Sequence, residues 1–240
     1  MTATLTATPF VYSGTELDAL AGANNYYRSI LHYFKPFLGE RIVEVGAGIG
    51  TFAAHLMEAR KPTALTLIEP AENNIDTLRE RFAGEARVRV LHGYLDAMTK
   101  GLTAHSLVAV NVLEHVRDDV GFLRAARRVI APGGHLLLFV PACQWLYGAM
   151  DAAFEHHRRY SKALLADRLR AAGFDKFRLR YFNLPGILPW FIAGRILNRT
   201  TVRERDARRY DRWIMRWVGP IERRCEPPVG QSILTIAQVG

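Results

Sequence analysis

Eight consecutive residues carry the strongest chemical signal in the sequence: Glu44-Val45-Gly46-Ala47-Gly48-Ile49-Gly50-Thr51. They follow an apolar run beginning at Arg41 and lead into a helical pattern, so they occupy a strand-to-helix turn. Glycines there permit a tight turn and a close approach of main-chain N–H groups, while the helix start offers unpaired donors. Such a turn suits a nucleotide-like ligand. A dinucleotide site wants GxGxxG or GxGxxA, but counting from Gly46 the last of those positions is Thr51; the spacing is GxGxG, with an acid two residues ahead. A pyrophosphate beside Glu44 would meet a like charge, whereas the cationic methionine portion of S-adenosylmethionine would be attracted to it. The competing reading is a tight turn with no ligand. Glu69 closes the run ALTLIEP, 19 residues after Gly50. In open parallel sheets ligands sit beyond the carboxyl ends of strands, where an acid can accept from both ribose hydroxyls. Each such bond to a charged group contributes about 1.5–3 kcal/mol. Its plain alternative is a solvated loop glutamate.

These residues need a frame that brings strand ends together. From Arg41, short apolar runs (IVEV, ALTLIEP, RVRVLHG, SLVAVNV) alternate with helical patterns, and HLLLFVPA follows Ala131-Pro132-Gly133-Gly134. Alternation of this kind predicts right-handed βαβ units on a parallel sheet covered on both faces. Ahead of it, Leu17, Leu20, Tyr27, Ile30, Leu31 and Phe34 recur at helical spacing. Behind it, Ser161 is a candidate N-cap for a helix stopped near Gly173, and 178–182 and 232–239 are candidate antiparallel strands. The division expected is a flexible tail over 1–14 and one domain over 15–240. That domain comprises a helical lid (15–40), a cofactor-binding core (41–142) and an acceptor-side region with a basic cap (143–240). With 240 residues the chain can bury a substantial core. Its two cysteines are far apart with no CxxC pair, and the eight histidines form no HExxH or Cys/His spacing, so no metal is expected. The N-terminus lacks a signal-peptide pattern, and no apolar run reaches the roughly 20 residues a bilayer demands. A cytoplasmic location fits, peripheral attachment to the inner face of the membrane remaining open.

The motifs VEVGAGIG, IEP, NVLEHV and APGG fall, over roughly residues 24–175, where the class I S-adenosylmethionine-dependent methyltransferases carry theirs. NVLEHV (Asn111 to Val116) resembles the branch containing the quinone-biosynthesis methyltransferases. The resemblance implies a doubly wound, mostly parallel seven-stranded sheet and S-adenosylmethionine as cofactor. It implies that Gly46, Ala47, Gly48 and Gly50, with Glu44 and Thr51, hold the methionine part and that Glu69, followed by Pro70, holds the ribose. Asn111 and Leu113 would line the cofactor through backbone groups, with Tyr26 nearby. Two departures stand out. Gly93-Tyr94-Leu95-Asp96 lies where many relatives have an acid, leaving the adenine contact to Asp96 or the Leu95 backbone, and Ser106 replaces an aspartate usual at the start of the fourth strand.

His156-His157-Arg158-Arg159-Tyr160-Ser161 is similar to an H-x-R-R-Y-[ST] segment of a subgroup of these enzymes. His156 is a candidate general base, since an imidazole near neutral pH can take a hydroxyl proton; His115 is a second candidate. Tyr147, His157, Arg158, Arg159 and Tyr160 are candidate acceptor contacts. The alternative is a cluster of hydrogen bonds with a purely structural role. Between Arg195 and Arg224 stand ten arginines and four acids, with Trp213 and Trp217 among them. A phosphorylated or amphiphilic, lipid-linked acceptor or an anionic membrane surface would suit this composition, as would an amphipathic cap with solvated arginines. Nucleic acid is not expected as a partner, because no N/D-P-P-Y motif or RNA-binding module is present. The activity expected is methyl transfer to an O, N or C nucleophile in small-molecule biosynthesis. The rivals are an NAD-dependent oxidoreductase, a nucleic-acid methyltransferase and a non-catalytic module binding a partner or membrane. The sequence fixes neither the acceptor nor an oligomeric state.

Overall fold

Residues 10–12, 14 and 16–240 are described by the computed structural model. Seven strands form one sheet: β1 (Arg41–Val45), β2 (Ala64–Glu69), β3 (Val88–His92), β4 (Ala104–Val110), β5 (Ile130–Pro141), β6 (Lys176–Phe182) and β7 (Ser232–Gln238). Their order is β3-β2-β1-β4-β5-β7-β6, with the first five parallel and β7 antiparallel to both β5 and β6. The order reverses direction between β1 and β4, so the tips of β1, β2 and β4 surround the crevice where ligands bind in such sheets.

Alternation along the strands sends side chains to two faces. On β5, Leu136, Leu138 and Val140 join one buried cluster while Leu137 and Phe139 join the other. The first cluster is covered by α5 (Asp119–Val129) and α7 (Lys162–Ala171). The second is covered by α2 (Asn24–Phe34), α3 (Thr51–Arg60) and α4 (Glu72–Arg81), with Met215 and Val218. A short α1 (Glu16–Leu20) precedes α2, and α6 (Ala149–Ala153) follows β5. The stretch from 184 to 224 is helical in two runs: α8 (Ile187–Phe191) continued by a π turn (Ile192–Ile196), then α9 (Glu204–Tyr210), a π turn (Asp211–Met215) and α10 (Arg216–Arg224). Ser161 does cap α7, its hydroxyl accepting from Leu164 N at 3.1 Å, and Gly173 beyond that helix adopts φ +87°.

Two details differ from the expectation. Pro132-Gly133-Gly134 lies inside β5, not ahead of it: Ala104 pairs with Ile130 and Ser106 with His135, so the register shifts there. Gly133 has φ +79°, and a Cβ on Gly134 would strike the carbonyl of His105, which is why a glycine bulge fits. Ser106, standing where an aspartate was usual, accepts from Gly39 N (2.9 Å) and donates to Phe37 O (2.8 Å), fastening the entry to β1. The tail expected over 1–14 falls outside the described residues except for 10–12 and 14. Of these, Phe10 O accepts from Glu72 N and Tyr12 pairs with Asn73, so this piece is anchored to α4.

Candidate functional site

A cavity of about 870 Å³ opens at the tips of β1, β2 and β4 and extends beneath α8 and α9. Tyr26, Glu44, Gly46, Ala47, Gly48, Thr51, Glu69, Pro70, Leu95, Asp96 and Asn111 all line it. The turn after β1 puts Gly46 at φ +69° and Gly48 at φ +53°, and a Cβ on Gly46 would meet Val112 at 2.5 Å. Only glycine takes both this left-handed backbone and the close packing. Gly50 (φ +79°) does not line the cavity. A Cβ there would press into Phe82 and Leu78, so Gly50 lets α3 seat closely against α4. Leu113 is likewise away from the cavity: it is fully buried, and its carbonyl accepts from the Tyr160 hydroxyl and from Val116 N.

The electrostatics of the turn are unusual. Glu44 is only 2% exposed, and its Oε2 has no hydrogen-bond partner among the described residues; nor has the hydroxyl of Thr51. Burial, with the nearby charge of Glu69 adding to it, pushes the Glu44 carboxyl up to about 8. Glu69 is better supplied. Its two oxygens accept from Gly48 N (2.7 Å), Ala71 N (3.0 Å) and the Asn74 amide (3.4 Å), although burial still raises it. At neutral pH the free Glu44 carboxyl holds its proton; a cation set beside it would draw that proton off and pair with the carboxylate, which a pyrophosphate cannot do. These residues fit a sulfonium nucleoside. Asn111 adds a second backbone signal, holding φ +53° at the end of β4 while its N–H donates to Phe139 O.

On the other side of the cavity the segment from 147 to 160 is stitched to the core. Arg159 is 1% exposed; it donates to Asp151 Oδ1 (2.8 Å), Ala142 O (2.7 Å) and Gln231 O (3.1 Å) and lies 5.2 Å from the Trp190 ring. Asp151, also buried, accepts in addition from His156 Nδ1 (3.0 Å), Gly148 N (3.1 Å) and Trp190 Nε1 (3.3 Å). Burial alone would raise the Asp151 carboxyl, but the His156 hydrogen bond and the Arg159 charge hold it below its ordinary value. It is therefore an anion, which can only accept, so His156 Nδ1 carries the hydrogen of that bond. The His156 ring meets His115 edge-on at 4.7 Å. His115 is pulled down to about 3 by burial and by the adjacent His156 and His157, so it stays neutral. Behind them Glu114 is buried with both oxygens unpartnered among the described residues, pushed up to about 7 by burial against the pull of His156. Glu114, His115 and His156 bring three potential ligand atoms within 4.8 Å, a grouping invisible in their spacing along the chain.

His156, His157, Arg159 and His115 line the cavity; Tyr147, Arg158 and Tyr160 do not. Tyr160 is fully buried between Leu113 O and Asp119, Arg158 pairs with Asp119 at 2.7 Å, and the Tyr147 hydroxyl donates to His156 O. The bonds of these three tie the segment to its own backbone and to Asp119. Asp151 and Tyr12, which stacks edge-on against His115 and bonds Glu16, were missed from sequence. Only the five-residue spacing from Asp151 to His156 could have drawn attention to the first.

Two carboxylates of the 184–224 stretch hold distant backbone. Asp211, in the π turn between α9 and α10, accepts from Asn25 N (3.1 Å) and Tyr26 N (2.8 Å), capping α2, which has no side-chain cap of its own. Glu222 accepts from Asn183 N (2.8 Å) and Leu184 N (3.0 Å) at the end of β6.

A family model described as a methyltransferase domain matches residues 20–178. The chain belongs to the class I S-adenosylmethionine-dependent methyltransferases. S-adenosylmethionine is the cofactor of this family, and Glu44 beside the glycine turn, its Oε2 unpartnered among the described residues, fits it. Among curated relatives, a ubiquinone biosynthesis O-methyltransferase of Methylocella silvestris is 34% identical over 103 residues, 42% of this chain and 39% of that protein. A demethylmenaquinone methyltransferase of Clavibacter sepedonicus is 26% identical over 151 residues, 62% of this chain and 58% of that one. The chain thus spans less than two thirds of the length of either. In fold it is similar to an S-adenosylmethionine-dependent methyltransferase from Thermotoga maritima, with a TM-score of 0.62, 20% identity and 94% of each chain covered. It is also similar to phosphoethanolamine N-methyltransferase 2 of Haemonchus contortus in complex with S-adenosyl-L-methionine, with a TM-score of 0.62, 14% identity, and 94% of this chain and 58% of that one covered.

Proposed function

We propose that this class I methyltransferase moves a methyl group from S-adenosylmethionine to a nucleophilic O, N or C atom of a small or amphiphilic acceptor, an oxygen of a lipid-linked acceptor being favoured. The observation that carries the reading is the buried Glu44, its Oε2 without a partner among the described residues, next to Glu69 at one end of a cavity whose other end presents His156. Glu44 would hold the cationic methionine end, the turn at Gly46 and Gly48 would meet it with backbone, and Glu69 would accept from the ribose. When bound, the cofactor supplies a methyl group already activated by positive charge. The protein's remaining tasks are alignment, which can lower a barrier by about 7–11 kcal/mol, and exclusion of water.

Two features support the acceptor side of the reading. His156 lines the cavity with its Nδ1 tied to anionic Asp151, so Nε2 is free to take a proton from a hydroxyl. Apolar groups, among them Met150, Phe154, Pro189 and Ala193, line the same cavity, as do Arg199 and Arg203, which suits an amphiphile with an anionic part. The name of the Methylocella relative, an O-methyltransferase of ubiquinone biosynthesis, favours oxygen. The same reading includes peripheral contact with an anionic membrane; among the described residues no helix is long and apolar enough to cross one.

Calorimetric titration with adenosylhomocysteine and, separately, with a nicotinamide dinucleotide tests the cofactor half. Binding of the first and not the second is expected; the reverse would replace this reading by an oxidoreductase. Transfer of labelled methyl from the cofactor to a lipid extract, compared with a water-soluble extract, tests the acceptor half.

A further inference from the structure

We propose that the outward face of α9, its π turn and α10 docks on an anionic phospholipid surface, bringing the cavity to the bilayer. This names the partner of the site described above and rests on the reading of an amphiphilic acceptor. The face carries four large apolar side chains in a row, Trp213, Ile214, Trp217 and Ile221, at spacings of one, three and four residues. Trp213 is 62% and Trp217 59% exposed. A soluble surface seldom gathers such groups without a use for them.

The arginines give the partner its charge. The four acids between Arg195 and Arg224 are all occupied: Asp206 pairs with Arg199, Glu204 with Arg208, and Asp211 and Glu222 are buried on backbone N–H groups. Arg205, Arg209, Arg212 and Arg216 are exposed, and among the described residues no ion pair reaches them. Arg212 lies 5.3 Å from the Trp213 ring and Arg216 4.9 Å from the Trp217 ring. Indole rings flanked by guanidinium groups match a layer of anionic headgroups over acyl chains, where tryptophan prefers to sit and arginine finds phosphate. Nucleic acid would use the arginines but not the aliphatic Ile214 and Ile221, and a second copy of this chain would set the same arginines against one another.

The position of the face gives it a purpose. Asp206, Ala207 and Tyr210, on the inner side of α9, line the cavity, as do Trp190 and Ala193 from the run of α8 and its π turn. That second run also turns an apolar stripe outward, Leu188, Ile192 and Ile196, at i, i+4 and i+8. Both helical runs that wall the acceptor end thus have apolar side chains on their outer flanks.

Co-sedimentation of the full chain with phosphatidylglycerol–phosphatidylcholine vesicles, and with phosphatidylcholine alone, tests the proposal. Retention on the anionic vesicles with release by salt, a blue shift of tryptophan emission, and about tenfold weaker retention of the Trp213→Glu/Trp217→Glu variant are expected. The Arg209→Gln/Arg216→Gln variant, which leaves the apolar row intact, should lose retention less and depend less on salt. Four outcomes overturn it: no retention; equal retention on neutral vesicles; retention indifferent to the tryptophan change; or competition by RNA at equal affinity. A dimer abolished by the tryptophan change, without vesicle binding, would assign the face to a second copy instead. Adenosylhomocysteine titration of the same samples keeps the two readings apart. Normal binding with no vesicle retention sinks docking alone, and retention without binding sinks the methyl-transfer reading alone.

Discussion

The cofactor end of the cavity takes its polar atoms from short runs at the tips of β1, β2 and β4, whereas the acceptor end takes Asp151, His156, Arg159 and Trp190 from separate places between α6 and α8. At the first end Glu44 Oε2 has no partner among the described residues, so the fold carries a buried acid at a cost that a cationic ligand would remove. At the second end every strong polar group of the Asp151 hub is already answered inside the protein. One region offers a ligand a buried acid with an unpartnered oxygen; in the other the Asp151 hub is internally satisfied and holds His156 in place, with the unpartnered Glu114 behind it. Substitutions at the two ends should therefore fail in different ways.

The largest effect is expected at the hub. Asp151→Ala leaves the Arg159 guanidinium buried without its anion, and breaking a buried pair on one side costs about 3–5 kcal/mol. Denaturant melts read this directly; a variant as stable as the parent would erase the distinction between the two ends. Next is His156→Ala, for which turnover with a hydroxyl acceptor and saturating cofactor should fall by about 100-fold, the lower range for general-base catalysis, while adenosylhomocysteine affinity holds. Near-full turnover would leave the ring a structural part of the hub.

Glu44→Gln sharpens the comparison from the other side. Loss of the charge should weaken adenosylhomocysteine binding by about 10- to 100-fold, equivalent to about 1.4–2.7 kcal/mol, without loss of stability. The pH dependence has a definite sign. The folded carboxyl sits near 8, above its ordinary value of 4.5, so its contribution to stability is full below about 4.5 and is lost as pH rises through about 8. Thermal melts of the ligand-free parent should decline across that window, and those of Glu44→Gln should decline less. Binding at neutral pH should release a proton, measurable by calorimetry in buffers of different ionisation enthalpy. The smallest effect is expected for Asp211→Ala, which uncaps α2 from the far end of the chain. A loss of about 1 kcal/mol in melts, with a modest weakening of cofactor binding through Tyr26, is anticipated.

The alternating strands, the turn at Glu44 to Thr51 and the acid at Glu69 were legible because each is a local pattern: strand, turn and helix start are set by neighbours in sequence. The same locality hid at Gly50 the close approach of Leu78 and Phe82, which a motif alone does not show. In the HHRRY segment it separated poorly the residues that face the cavity from those, such as Arg158 and Tyr160, that hold the segment down.

The sequence by itself determined the parallel sheet, its strand-tip turn and the sign of the charge offered to a ligand, since periodicity and consecutive residues dictate all three. Only the tertiary structure decided that Asp151 orients His156, that Glu114, His115 and His156 converge, and that Asp211 caps a helix 185 residues away. Those relations join positions whose separation along the chain says nothing of their distance. They arise when burial removes water and each polar group must find its partner inside the fold.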